Sequence, residues 1–263
     1  MDKKEQKLRE FAKSVINYPE CKKEVQYLLS KLKLTEKGVI QAYVKYDMDV
    51  FAYENEIYEP LAMRFVLYLH NLLKGSWHQE RQQAILELLR LANPESTVDM
   101  GFGVPTKYVR EYTLETKKKL LLVDIYASAF EFSKVLLNYL NPSWKEFISF
   151  KQLDMNTQEF IGKFDCYIFQ DSIEHVKDAT EYLTKTVKLA PKNASFILSL
   201  PIGPKVPIHP ISWNNEEDAE KWLNKCGLKI INKKEMRVNP NVDLFVDKFE
   251  KEFYNIAVLC NKK

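Results

Sequence analysis

Residues 96–105 read Ser-Thr-Val-Asp-Met-Gly-Phe-Gly-Val-Pro, and they constrain the fold more than any other stretch of the chain. The whole sequence holds only 7 glycines, yet Gly101 and Gly103 stand one residue apart just after a short apolar run ending at Asp99. Glycine costs chain entropy and is kept where the backbone needs a positive φ or must approach a ligand closely. A strand, a tight Gly-x-Gly turn and a helix form a cradle of the nucleotide-binding type, with free N–H groups at the helix N-terminus facing the ligand.

The residues on either side of this turn follow different rules. Residues 1 to about 92 read as helices, with apolar side chains at helical spacing: Leu8, Phe11, Val15 and Ile16, then Val25, Leu28, Leu29 and Leu32, then Leu61, Phe65, Leu69, Leu72 and Leu73, then Ile85, Leu88, Leu89 and Ala92. Asn93-Pro94 ends the last of them, because the residue before a proline is pushed out of the α region. From Ser96 onward short apolar runs alternate with amphipathic stretches. Strands are expected at 96–100, 119–125, 146–152, 164–170 and 194–200, and helices at about 105–114, 127–140, 157–162 and 175–190. A helix at 214–226 is closed by Gly227, and two further strands, about 228–238 and 252–261, lack a helix between them.

This alternation implies βαβ units with right-handed crossovers. The expected architecture is α/β: a Rossmann-like, mostly parallel seven-stranded sheet with helices on both faces, an antiparallel C-terminal edge strand and a helical N-terminal extension. The expected division is a helical cap or lid over 1–92 and a Rossmann-like domain over 93–263.

Composition removes several alternatives. With 39 basic and 36 acidic side chains the net charge is +3, too small to demand a polyanionic partner. Most of the basic residues are Lys, whereas Arg is the usual residue for forked contacts to phosphates and bases, so a nucleic-acid partner is not expected. Cys21, Cys166, Cys226 and Cys260 are scattered with no Cys-x-x-Cys pair, which argues against a zinc ribbon or a thioredoxin-type site and for free thiols in the cytoplasm. The charged N-terminus lacks an apolar signal core, and no apolar run is long enough to span a bilayer, so no membrane association is expected.

In an open α/β sheet, ligands bind beyond the carboxyl ends of the strands, where strand order reverses. The first strand ends at Asp99-Met-Gly101-Phe-Gly103, and the second at Leu-Leu-Leu-Val-Asp124. An acidic residue about two dozen positions after the glycines is placed to accept from both ribose hydroxyls. The third strand is followed by Leu153-Asp154-Met155, the fourth ends at Gln170-Asp171 with Ser172-Ile-Glu174-His175-Val after it, and the fifth ends at Leu200-Pro201.

This ordered set of strand ends resembles the class I S-adenosylmethionine-dependent methyltransferases over roughly residues 95–263. The Glu-His-Val version is similar to the small-molecule branch that includes the ubiquinone-biosynthesis enzymes. The resemblance implies a methyltransferase that uses S-adenosylmethionine and a small-molecule acceptor with an oxygen, nitrogen or carbon nucleophile. It implies that Asp99, Gly101 and Gly103 cradle the methionine part of the cofactor, that Asp124 holds the ribose and that Ile125 packs on the adenine. It places Asp154, with Met155, at the adenine amino group and Gln170 at the sulfonium side. The third glycine often found in the first motif is replaced by Val104-Pro105, and Pro suits the first turn of a helix.

The donor already carries the activation, so the protein aligns an acceptor and in some reactions removes its proton. The candidate catalytic residues are His175, His209 in the Pro-flanked Pro-Ile-His-Pro-Ile loop, and Asp171, with Glu174 beside them. No metal centre is assigned in this reading. Asp171-x-x-Glu174-His175 with His209 nevertheless resembles the metal-binding set of RNA 3′-terminal ribose methyltransferases, whose motif starts with Glu where this chain has Asp171. A catalytically silent partner subunit is a third reading. Tyr43, Tyr46, Tyr53 and Tyr58 form either a lid or cap core, and the helical extension could support a homodimer.

Overall fold

The structure, a computed structural model, describes residues 3–17, 19, 21–48, 60–72, 76–204, 209–237 and 254–263. Tyr53 and Tyr58 therefore lie outside the described residues, as does the side chain of Tyr46. The chain opens with five helices: α1 (Lys3–Ile16), α2 (Lys22–Lys31), α3 (Glu36–Met48), α4 (Pro60–Leu72) and α5 (Trp77–Ala92). The start of α5 is set by Ser76, whose hydroxyl accepts the Gln79 N–H at 3.2 Å. Its end is set by Asn93, which takes the left-handed conformation (φ 44°, ψ 50°) before Pro94.

Helices α1 to α4 bury one shared core, built on residues such as Leu8, Val25, Leu28, Tyr43, Phe65 and Leu69. Burying a side chain of this size contributes roughly 1.5–3 kcal/mol, so the cap has a core of its own. That core continues into Val104, Phe132 and Leu136 of the following segment. Helix α5 behaves differently. Its Ile85, Leu86, Leu88 and Leu89 pack with Leu122, Ile168, Ile197 and Leu259 of the sheet. The last helix before residue 92 is thus packed as a layer of the α/β sandwich.

The sheet contains β1 (Ser96–Met100), β2 (Lys119–Asp124), β3 (Ile148–Gln152), β4 (Cys166–Gln170), β5 (Ser195–Ile202), β6 (Leu228–Arg237) and β7 (Tyr254–Lys262). Their order is β3-β2-β1-β4-β5-β7-β6. Strands β1 to β5 are mutually parallel, and β7 runs antiparallel to both β5 and β6. The seven-stranded, mostly parallel sheet expected from the sequence is present, and its antiparallel C-terminal strand β7 enters between β5 and the edge strand β6. Strand order reverses between β1 and β4, which defines the ligand-binding crevice of such a sheet.

Between the strands lie α6 (Leu114–Thr116), α7 (Ala127–Leu140), α8 (Ala179–Leu189) and α9 (Glu216–Lys225). The expected helix at 105–114 begins at Lys107 and contains a π-helical turn over Val109–Thr113 before α6. The expected helix at 157–162 is absent. Asp154 instead accepts from the Asn156 N–H (2.8 Å) and the Thr157 hydroxyl (3.2 Å), a local side-chain turn that competes with helix formation. A short 3-10 segment, Ile173–His175, precedes α8, so the expected helix at 175–190 starts only at Ala179.

Candidate active site

A cavity of about 570 Å³ opens at the carboxyl edge of the sheet, over the β1/β4 switch point. Its floor is the turn after β1. Gly101 and Gly103 both have positive φ, 78° and 62°, which L side chains rarely adopt. Gly101 N–H donates to the Val123 carbonyl at 2.8 Å, and Gly103 N–H donates to Asp124 Oδ2 at 2.9 Å. Their amides tie the turn to β2, and the turn presents the cavity with bare backbone.

Asp124 ends β2 and is fixed from two sides. Oδ2 accepts from Gly103, and Oδ1 accepts the Tyr126 N–H at 2.9 Å. A carboxylate oxygen can accept more than one hydrogen bond, so both oxygens keep acceptor capacity. Ile125 follows, 41% exposed, and it lines the cavity with Asp154 and Met155. Gln170, Asp171, Glu174, His175 and His209 line it as well. Gln170 Oε1 is buried without a hydrogen-bond partner.

Asp99 is the exception among the expected site residues. Val98 and Met100 belong to the core on one face of β1, and strand alternation turns Asp99 to the opposite face. There its Oδ2 accepts from the Tyr108 hydroxyl at 2.7 Å, and it does not line the cavity. Burial, reinforced by the Asp124 charge, pushes its carboxyl up to about 7. Through Tyr108, Asp99 fixes the segment after the glycine turn from behind.

Asp171 takes φ 45° at the end of β4. Its carboxylate pairs with Arg81 and accepts from the Ser199 hydroxyl and from Asn255 Nδ2 at 3.2 Å. Three donors hold the Asp171 carboxylate in place at the cavity wall. The His175 and His209 rings meet edge to face with centroids 4.8 Å apart. One ligand atom from each of Glu174, His175 and His209 lies within 4.8 Å of the others. Glu174 is 1% exposed, its Oε2 has no partner, and burial raises its carboxyl above the ordinary range.

The N-terminal helices close the cavity. Arg64, Leu67 and Asn71 come from α4, and Trp77, His78 and Arg81 come from α5. Arg81 lies over the Trp77 ring at 4.9 Å. Tyr43 is not part of this wall: it is buried in the cap core and stacked on His70 at 5.0 Å. The two arginines escaped the sequence reading, although a signal existed. Arg64 shares its helix face with Leu61 and Tyr68, and Arg81 shares one with Ile85 and Leu88, so each is a charge within an apolar stripe.

Neither a protein-family model nor a curated protein sequence matches this chain. Solved structures do match it. The cyclase SpnF superposes with a TM-score of 0.57 at 9% identity, over 72% of this chain and 83% of that one. Magnesium protoporphyrin IX methyltransferase from Synechocystis PCC 6803, with bound S-adenosylhomocysteine, gives 0.53 at 14% identity, over 71% and 84%. The chain has the class I methyltransferase fold. A third match of that fold is the 1,6-didemethyltoxoflavin N1-methyltransferase of Burkholderia thailandensis, with a TM-score of 0.51 at 13% identity, over 70% of this chain and 78% of that one. That a cyclase stands beside two methyltransferases shows that the methyltransferase fold alone does not decide the reaction.

Proposed function

We propose that this protein is an S-adenosylmethionine-dependent methyltransferase acting on an oxygen, nitrogen or carbon atom of a small molecule. The observation that carries the reading is the ring of residues about the switch-point cavity: the bare turn at Gly101 and Gly103, Asp124 with open acceptor capacity, Asp154 and Met155, and the unpartnered Gln170 Oε1. These groups fit such a cofactor. A Cβ on Gly101 would lie 2.6 Å from the Ser172 Cβ, so the turn is kept bare and close-packed. The acceptors match the hydroxyl, amino and cationic groups that the cofactor brings.

When bound, the cofactor supplies an activated methyl group on a sulfonium. The chain's own contribution is alignment and exclusion of water by α4 and α5. His175 and His209, which line the same cavity, are the side chains placed to take a proton from an acceptor. The same reading includes a cytoplasmic location, supported by widely spaced thiols, and a homodimer through the N-terminal helices, which sedimentation equilibrium would test. Among the described residues no helix is long and apolar enough to cross a membrane.

Calorimetric titration with S-adenosylmethionine and S-adenosylhomocysteine tests the proposal. Saturable binding that is lost in Asp124→Ala is the expected outcome. A folded protein that binds neither overturns it in favour of the silent-partner reading.

The convergence of Glu174, His175 and His209 supports a second reading, in which a divalent metal is held in the cavity by one oxygen and two nitrogen ligands. Such a site would orient the acceptor oxygens of a diol, as in the metal-dependent RNA ribose methyltransferase alternative. Metal titration in the presence and absence of EDTA, repeated with His209→Ala, separates the two. Stoichiometric binding that His209→Ala abolishes would establish the metal-assisted form.

A further inference from the structure

Arg64 is a buried cation whose hydrogen bonds are incomplete. It is 4% exposed, its Nε donates to Ser128 Oγ at 3.2 Å, and its guanidinium lies over the Tyr126 ring at 4.9 Å. Its nearest anion is Asp124, but Nη2 stands 3.9 Å from Oδ1, beyond hydrogen-bond reach. Among the described residues no group accepts from Nη1 or Nη2. A Cβ on Gly103 would lie 3.9 Å from Nη1, so the guanidinium lies beside the glycine turn at the cavity wall. Arg64 lines the cavity, so a ligand acceptor there can take the hydrogen bonds of its guanidinium.

The chemistry of the gap is specific. Arg64 offers only donors, and Asp124 offers only acceptors. A hydroxyl oxygen about 2.8 Å from each spans the 3.9 Å between them, accepting from Arg64 while donating to Asp124. Neither a carboxylate nor an ammonium can do both.

We propose that Arg64 and Asp124 form a two-sided clamp for one ribose hydroxyl, with α4 of the cap supplying the donor half. The ribose is that of the methyl donor, so this inference rests on the methyltransferase reading. It makes the cap part of the cofactor site itself.

The test is a double-mutant cycle between the protein and the ligand. Calorimetry would measure 5′-methylthioadenosine, its 2′-deoxy and 3′-deoxy forms and S-adenosylhomocysteine against wild type, Arg64→Met and Arg64→Lys. Circular dichroism would confirm that each variant is folded. In wild type, deleting a clamped hydroxyl should weaken binding about 10-fold. In Arg64→Met, methylthioadenosine and S-adenosylhomocysteine should weaken together by about 10-fold, and the further loss from deleting that hydroxyl should shrink, because only its bond to Asp124 remains. Arg64→Lys, which keeps the charge but loses the planar fork, should retain part of the coupling.

An unchanged hydroxyl penalty in the folded Arg64 variants would overturn the clamp. So would a loss confined to S-adenosylhomocysteine, which would assign Arg64 to the carboxylate. Wild-type protein that binds none of the probes would overturn the methyl-donor reading itself, and that outcome is distinct from either failure of the clamp.

Discussion

Ser172 closes onto the glycine turn at Gly101: its hydroxyl donates to the neighbouring Met100 carbonyl at 2.6 Å, and a Cβ on Gly101 would stand 2.6 Å from the Ser172 Cβ. The end of β1 and the start of the segment after β4 are therefore in contact across the switch point. No side chain fits between them, and the cavity floor owes its shape to that contact.

Gly101→Ala and Gly103→Ala should separate packing from backbone strain. Both positions have positive φ, which costs an L residue on the order of 1–3 kcal/mol. Gly101→Ala adds a clash with Ser172, whereas the nearest atoms to a Cβ at Gly103 are 3.9 Å away. Denaturant melts should show Gly101→Ala as clearly the more destabilised, with S-adenosylhomocysteine binding lost. Equal destabilisation would contradict the Ser172 contact.

Stability should depend on pH through two buried groups with opposite signs. Burial, helped by the Arg81 charge, lowers His70 from 6.5 to about 3. The unfolded chain takes up a proton below 6.5 that the folded chain refuses, so this contribution is lost as pH falls from 6.5 toward 3. Asp99 is raised from 3.8 to about 7, so the folded chain holds its proton longer, and its contribution is lost as pH rises from 3.8 through 7. Each group changes the slope by about 1.4 kcal/mol per pH unit inside its window. His70→Gln should flatten the acid limb measured by urea melts at stepped pH. Asp99→Asn should remove the opposing term.

Two ion pairs between helices and the rest of the chain should differ in weight. Arg81 and Asp171 have side chains only 10% and 17% exposed. Lys185, on α8, meets Glu159 at 2.9 Å with side chains 48% and 54% exposed. Removing one partner of a buried pair leaves an uncompensated charge and costs roughly 3–5 kcal/mol. A more solvated pair is worth about 1 kcal/mol or less. Arg81→Met should therefore lower the melting midpoint far more than Lys185→Met.

Thiol chemistry should report the packing of the cysteines. Cys166, Cys226 and Cys260 are buried and Cys21 is half-buried. Burial pushes the Cys260 thiol up to about 12 and raises Cys166 and Cys226 as well. A disulfide reagent at pH 8 should titrate Cys21 quickly in native protein, and the other three thiols only after denaturation. Fast reaction of Cys166 would contradict its place in β4.

Much of the α/β half was legible in the sequence because its signals are local. The apolar runs at 96–100 and 164–170 mark strands, Asn93-Pro94 ends a helix, and two close glycines mark a turn that needs positive φ. The helix expected at 157–162 failed on equally local grounds, since Asp154 binds its own neighbours. The side of β1 that carries Asp99 was not legible, because a residue number does not tell which strand face lines a cavity.

The sequence by itself determined the order of elements, the parallel sheet and the strand ends that meet at the crevice, because periodicity and turn chemistry act over a few residues. Only the tertiary structure decided that α5 joins the sheet's helical layer, that Asp171 is taken by Arg81, Ser199 and Asn255, and that Arg64 faces Asp124. Those pairings join residues dozens of positions apart. They exist only once two apolar cores have formed and fixed which charges are buried together.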